Sequence, residues 1–238
     1  MMQKINIETN RTGVTVNPGM INEQSEFAQS IPAGSPPQGT ESIQALRAIS
    51  IKEAAPVGSI PEPLSAESIM GRSIDASGQK ARVFGDKLGQ RLAFERSGVR
   101  LYEALIDKAL AVEFNQKNEL VADLNHIHAE EKAHFLMLHS VMEDLGADST
   151  AMTPGAAVSG VTGQGFMQAI TDPRTSLSQC LEAILGLELI DNSCWEHLID
   201  AAKEAEVEGI IEIFTQASQE EKEHVQIVEK WLKATLYA

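Results

Sequence analysis

The sequence predicts an all-α fold, a four-helix bundle with one long crossover between its second and third helices and an extended N-terminal arm in front. Three observations predict it. Proline is absent between Ser77 and Pro154 and again after Pro173, apolar residues recur there at steps of three and four, and the two halves of this region repeat one another.

The arm comes first in the chain. Seven of the nine prolines lie within residues 1–75, among Gly, Ser, Thr and Asn residues that break the apolar side chains into brief patches. One patch holds Leu46, Ile49 and Ile51, so the run from Glu41 to Ile51 is expected to form one short helix before Pro56, Pro61 and Pro63. Otherwise residues 1–76 are expected to be irregular or partly disordered, and residues 77–238 to form the bundle.

Expected boundaries are Ser77 to Leu110, Asn118 to Leu145, Pro173 to Lys203 and Val207 to Leu236. Helices of near thirty residues are roughly 45 Å long and need a long mutual seam. The first offers Leu88, Leu92, Glu95, Val99, Tyr102, Ile106 and Ala109; the second offers Leu120, Leu124, Ile127, Glu131, His134, Leu138, Val141 and Leu145. The third offers Leu181, Leu185, Glu188, Asn192, Trp195, Ile199 and Ala202, and the fourth Ile210, Phe214, Ala217, Glu221, His224, Val228 and Trp231. Each stripe carries a carboxylate where a bundle wants an apolar residue. Gly146 is placed to end the second helix, and Asp172 with Pro173 to start the third. The Gly-, Ser- and Thr-rich stretch between them is the crossover, with Gly165 to Ile170 as its one turn of helix.

The two hairpins match in sequence. LAFERSGVRLYEALIDKA (92–109) aligns with LGLELIDNSCWEHLIDAA (185–202), pairing Glu95 with Glu188 and Tyr102 with Trp195, and AEEKAH (129–134) aligns with QEEKEH (219–224). A chance amphipathic helix would repeat its apolar positions but not its acids.

Those acids explain the pattern. Glu131 and His134, like Glu221 and His224, stand three apart and project from one helix face. With Glu95 and Glu188 they place four carboxylates and two imidazoles in one core, where uncompensated charge is very costly. Two divalent cations resolve that cost: Glu95 and Glu188 as terminal ligands, Glu131 and Glu221 as bridges, one histidine on each metal, and open positions for water, O2 or peroxide. Tyr102 either fills the core beside the site or hydrogen-bonds a ligand carboxylate, and it is the candidate catalytic residue. Asp191 and Asn192 are candidates to orient a ligand histidine, and His128 is a candidate access residue. Glu182 is expected to be exposed, while Glu103, Glu196, Glu130 and Glu220 flank the stripes and are the reserve candidates for the site.

The formal charge of −15 disfavours nucleic acid and favours cations. No basic-then-apolar leader and no window of ~20 apolar residues is present, so a cytoplasmic protein that spans no membrane is expected. Cys180 and Cys194 lie fourteen residues apart on one predicted helix, about 21 Å, and cannot pair.

Glu95, EKAH at 131–134, Glu188 and EKEH at 221–224 together resemble the ferritin-like superfamily of di-iron carboxylate proteins, nearest its bacterioferritin and rubrerythrin branches. The resemblance covers roughly residues 77–236. It implies a ferritin-like four-helix bundle with two iron ions as cofactor, two manganese ions or a mixed manganese/iron pair being the alternatives. It also implies a di-iron oxidoreductase of ferroxidase or peroxidase type, acting on O2 or peroxide, as a homo-oligomer with a dimer favoured. The alternatives are a manganese catalase-like enzyme and a non-catalytic, metal-bound structural or partner-binding bundle. No rubredoxin-like four-cysteine module accompanies the motifs.

Since no stripe residue lies in the arm, deletion of residues 1–70 is expected to leave helical signal and metal content of the remainder intact. Circular dichroism and elemental analysis of the truncated chain check this.

Overall fold

A computed structural model describes residues 26, 29–30, 40–54 and 78–236, and all regular structure among them is helical. The first unit of the chain, Met1–Ala55, contains α1 (Thr40–Glu53), which spans the expected run from Glu41 to Ile51 and leaves Ile43, Leu46, Ile49 and Ile51 exposed. Of the rest of the expected arm, residues 26 and 29–30 are described, as helix, and the remainder lies outside the described residues.

The second unit holds α2 (Gln79–Ala111), α3 (Lys117–Asp144), α4 (Pro154–Thr171), α5 (Leu177–Glu204) and α6 (Ile211–Thr235). Here α2 packs on α3, and α5 on α6, as two hairpins, and the hairpins meet through α2 and α5. No described helix is long and apolar enough to cross a membrane.

Helix ends follow local chemistry. Gly146 adopts φ 71°, the left-handed conformation that closes α3, and its N–H bonds Glu143 O at 2.9 Å. Between α5 and α6 the chain turns at Glu206 (φ 60°) and passes through a 3-10 turn, Glu208–Ile210, so the last helix begins at Ile211 rather than Val207.

The crossover departs most from expectation. Instead of one turn at Gly165–Ile170, it forms the eighteen-residue helix α4. Thr153 caps it by accepting the Ala156 N–H, and Pro154 sits in its first turn, where a missing N–H costs nothing. Pro173 follows its C-terminus and ends α4; it does not start the third bundle helix. That start belongs to Ser176, whose hydroxyl accepts the Gln179 N–H while the Gln179 side chain accepts the Ser176 N–H. This box satisfies two backbone donors, whereas Asp172 is engaged by Arg174.

Both ends of α4 are tied to α2. Gly155 N–H donates to Asp86 Oδ1 at 2.7 Å, and Lys108 Nζ donates to the carbonyls of Asp172 (2.7 Å) and Thr175 (2.9 Å). Gly89 permits the approach, because a Cβ there would lie 2.5 Å from Thr153 Cγ2.

The covering helix changes what is buried. All eight stripe residues expected of α3, and the stripe of α6 from Phe214 onward, are buried. On α2, however, Val99 and Ile106 are only half-buried, while Arg91, Phe94, Leu101 and Leu105 form an additional buried face. The same holds on α5, where Leu185 and Asn192 are half-buried and Cys180, Ile184, Leu187, Asp191 and Leu198 join the core.

Two apolar clusters result. One is centred on Leu101, Leu105, Leu120, Leu124, Ile184 and Trp231, the other on Leu88, Leu92, Leu138, Trp195, Leu198 and Phe214. A charged layer containing Glu95, Glu131, Glu188 and Glu221 is buried in the same bundle.

Candidate metal centre

Helix periodicity alone puts Glu131 and His134 on one face of α3 and Glu221 and His224 on one face of α6; the packing of the two hairpins then brings the pairs to each other. Glu95, Glu131, Glu188, Glu221, His134 and His224 are all at most 3% exposed. Their donor atoms fall into overlapping groups within 4.8 Å: Glu131, Glu188, Glu221 and His224 in one, Glu95, His134 and Glu221 in another. Glu221 belongs to both.

The two imidazoles are mounted alike. His134 Nε2 lies 2.7 Å from Glu220 Oε2, and His224 Nε2 lies 2.9 Å from Glu130 Oε2, so each nitrogen is occupied by a carboxylate on the helix across. Each Nδ1 therefore faces inward: His134 Nδ1 is 2.8 Å from Glu221 Oε1, and His224 Nδ1 is 2.9 Å from Glu221 Oε2. This is how an imidazole is commonly held for metal binding, with the outer nitrogen on a carboxylate. The orienting groups are thus Glu130 and Glu220, each the residue before a stripe glutamate, and not Asp191 and Asn192. The sequence did contain a signal, the doubled acid EE in both motifs at 130–131 and 220–221.

Asp191 and Asn192 serve otherwise. Asp191 forms a buried ion pair with Arg91, which also bonds Glu95 Oε1 at 2.5 Å. Asn192 Nδ2 donates to the backbone carbonyls of Glu188 and Glu221, both at 3.0 Å, which locks α5 and α6 in register at the layer. Arg91 is not one of the stripe residues the sequence offers, yet it lies one turn before Glu95 and turns inward, against Glu95, Asp191 and the Phe94 and Trp195 rings.

Tyr102 hydroxyl donates to Glu188 Oε1, so of the two roles expected it makes the carboxylate bond as well as filling the core. Its repeat partner Trp195 lies in the other apolar cluster, edge-on to His134 with ring centroids 5.6 Å apart. The two rings thus belong to different clusters. His128 is partly buried, with Nε2 3.5 Å from Glu103 Oε1, and Glu182, Glu103 and Glu196 are exposed.

Electrostatics show what the layer lacks. Burial pushes the Glu131 carboxyl well above the ordinary range, and Glu221, Glu95 and Glu188 push it the same way. Burial also raises Glu95 and Glu188, partly offset by Arg91 and by His224 respectively. Glu221 goes the other way: burial would raise it, but the two imidazoles outweigh that and hold it far below the usual range. Burial alone would lower both imidazoles. Glu221 and Glu95 instead push His134 up to about 9, and Glu188 and Glu221 push His224 up to about 12. Without metal, protons supply the missing positive charge.

The residues fit a metal pair. Glu95 Oε2, Glu131 Oε2 and Glu188 Oε2 are buried and have no hydrogen-bond partner, while Glu221 Oε1 and His134 Nδ1 have each other at 2.8 Å. Four acids and two imidazoles converging on unpartnered atoms form a donor set suited to iron, manganese or another divalent transition metal. No protein-family model, curated protein or solved structure matches the chain. An all-helical bundle with buried, clustered Glu and His side chains is nevertheless consistent with a ferritin-like di-metal carboxylate site.

Two outcomes follow from this geometry. A Cβ at Gly98 would lie 2.0 Å from Glu131 Oε2, the far end of a flexible side chain. Gly98→Ala is therefore expected to keep the fold while displacing that carboxylate, lowering metal affinity by about tenfold or more; a metal titration of the folded variant checks it. The metal-free protein should also lose stability as pH rises. The imidazole contribution is complete below about pH 6.5 and fades as pH climbs through about 9, while Glu131 is ionised at growing cost over the same rise. Glu221, with its lowered value, stays ionised throughout and adds no slope. Thermal melts of metal-free protein are expected to fall by several degrees from about pH 6 to about pH 9. A melt no lower at the higher pH would show that the imidazoles are not held as cations.

Proposed function

We propose that the protein is a di-iron oxidoreductase of ferroxidase or peroxidase type, with Glu95, Glu131, His134, Glu188, Glu221 and His224 as the metal ligands. The observation that carries this is the mounting of the imidazoles, whose outer nitrogens are tied to Glu220 and Glu130 and whose inner nitrogens converge on Glu221. A merely structural polar layer would pair its atoms with one another; here three buried glutamate oxygens, on Glu95, Glu131 and Glu188, are left without a hydrogen bond.

Glu95 and Glu188 each spend one oxygen on a neighbour, Arg91 and Tyr102, and would offer the other to a metal. Glu131 and Glu221 stand where both halves can share them. Two ferrous ions held there would supply two electrons, enough with two protons to take peroxide to water or dioxygen to peroxide. Glu130 and Glu220, both about a quarter to a third exposed, hold the Nε2 protons and keep the rings turned inward. Tyr102 and Trp195 are oxidisable rings near the layer, suited to supplying an electron when an oxidising equivalent is left over. A reducing, cytoplasmic compartment suits the two free thiols, Cys180 and Cys194.

Anaerobic iron loading followed by O2 or peroxide titration tests the reading. Two iron ions per chain are expected, oxidised on addition of either oxidant, and Glu131→Ala is expected to lower both loading and rate by more than about tenfold. The metal-free Glu131→Ala protein should melt no lower than the metal-free wild type, since one of several repelling carboxylates is gone. Two manganese ions with steady oxygen release from peroxide would replace the iron reading with a catalase-like one. Normal loading and reactivity in Glu131→Ala would remove Glu131 from the ligand set.

A further inference from the structure

Arg91 and Asp191 break the repeat that the rest of the layer obeys. At the position matching Arg91 the second hairpin has Ile184, and at the position matching Asp191 the first has Gly98. A cation and an anion placed on opposite hairpins therefore meet inside the site, and both are 1% exposed.

Asp191 is positioned to act as a fifth carboxylate ligand. One of its oxygens lies within 4.8 Å of oxygens from Glu95, Glu131 and Glu221, the same closeness that groups the candidate ligands. What engages it instead is Arg91, whose Nη2 contacts Asp191 Oδ1 and bonds Glu95 Oε1 at 2.5 Å. The guanidinium cannot easily leave. It packs 4.6 Å from the Phe94 ring centroid and 5.2 Å from that of Trp195, and its Nε and Nη1 are buried without partners.

We propose that Arg91 is a positioning residue that holds Asp191 out of the metal coordination shell, so that the site presents four carboxylates rather than five. The proposal rests on the di-metal reading of the same layer. Charge makes it self-consistent: five buried acids are balanced by two divalent cations and one guanidinium. A metal can displace the protons of His134 and His224, but a guanidinium keeps its charge under any ordinary condition. Asp191 thus remains paired when the other donors turn to metal. Without Arg91, nothing opposes Asp191 joining the ions.

Cobalt(II) titration of the full chain under anaerobic conditions tests this, because the visible absorption of cobalt weakens as ligands are added. Wild type is expected to bind two cobalt ions per chain. Asp191→Asn should leave the bands unchanged, since a residue outside the shell contributes none. Arg91→Leu should weaken the bands and tighten binding by about tenfold as Asp191 becomes a ligand. The double variant Arg91→Leu/Asp191→Asn should restore the wild-type spectrum, and Arg91→Lys, which keeps a cation, should resemble wild type. Altered bands in Asp191→Asn would show Asp191 already bound and overturn the proposal, as would unchanged bands in a folded Arg91→Leu. Because Asp191→Asn preserves shape, its spectrum decides even if Arg91→Leu alone does not fold. A wild type that binds no cobalt would instead overturn the metal reading and this proposal with it; two bound cobalt ions with altered Asp191→Asn bands would overturn only the role of Arg91.

Discussion

Five carboxylates buried in one layer are the constraint around which the rest of this bundle is arranged. Glu95, Glu131, Glu188, Asp191 and Glu221 are each at most 1% exposed, and a buried anion without compensation costs several kcal/mol or more. Arg91, His134 and His224 are the only basic side chains buried with them among the described residues. Three cations against five anions leave Glu131 and Asp191 far above their ordinary pKa, with burial as the larger cause and mutual repulsion adding to it. The layer is complete only when further positive charge joins it.

Such a layer contributes little to folding by itself, so the apolar clusters must hold it. Both bring large side chains, Trp231 and Tyr102 in one, Trp195 and Phe214 in the other. Burying each large side chain is worth roughly 2 to 3 kcal/mol, which is why the four bundle helices run for twenty-five residues or more although the site occupies barely two turns of each. Outside the clusters, Asp123 accepts both Trp231 Nε1 (2.8 Å) and Lys230 Nζ (2.9 Å), fastening α3 to α6. Asn192 fastens α5 to α6 at the layer itself.

The repeat makes the site nearly two-fold, and its exceptions carry its individuality. His134 and His224 have equivalent mounts, and Glu95 and Glu188 each lose one oxygen to a neighbour. The neighbours differ: a guanidinium at Glu95, a phenol at Glu188. Gly98 and Asp191, which match in sequence, do opposite things, the first making room for the Glu131 carboxylate and the second adding a carboxylate of its own. One half of the site is therefore more polar in its surroundings than the other.

By itself, the sequence determined the four bundle helices, most of their inward stripes and the six candidate donors, because a period of three and four residues is a local property of the backbone. The stripes of α3 and α6 were readable for that reason, since each is buried along a single face. Only the tertiary structure decided what depends on distances between helices. It turned Pro173 from a helix start into a helix stop, because the crossover folds as α4 against α2. It also brought Arg91 into the layer, where Asp191 and Trp195 of α5 meet it. It also chose Glu130 and Glu220, rather than Asp191 and Asn192, to orient the histidines, since a hydrogen bond from α3 to α6 requires a separation near 2.8 Å that no spacing along one helix specifies.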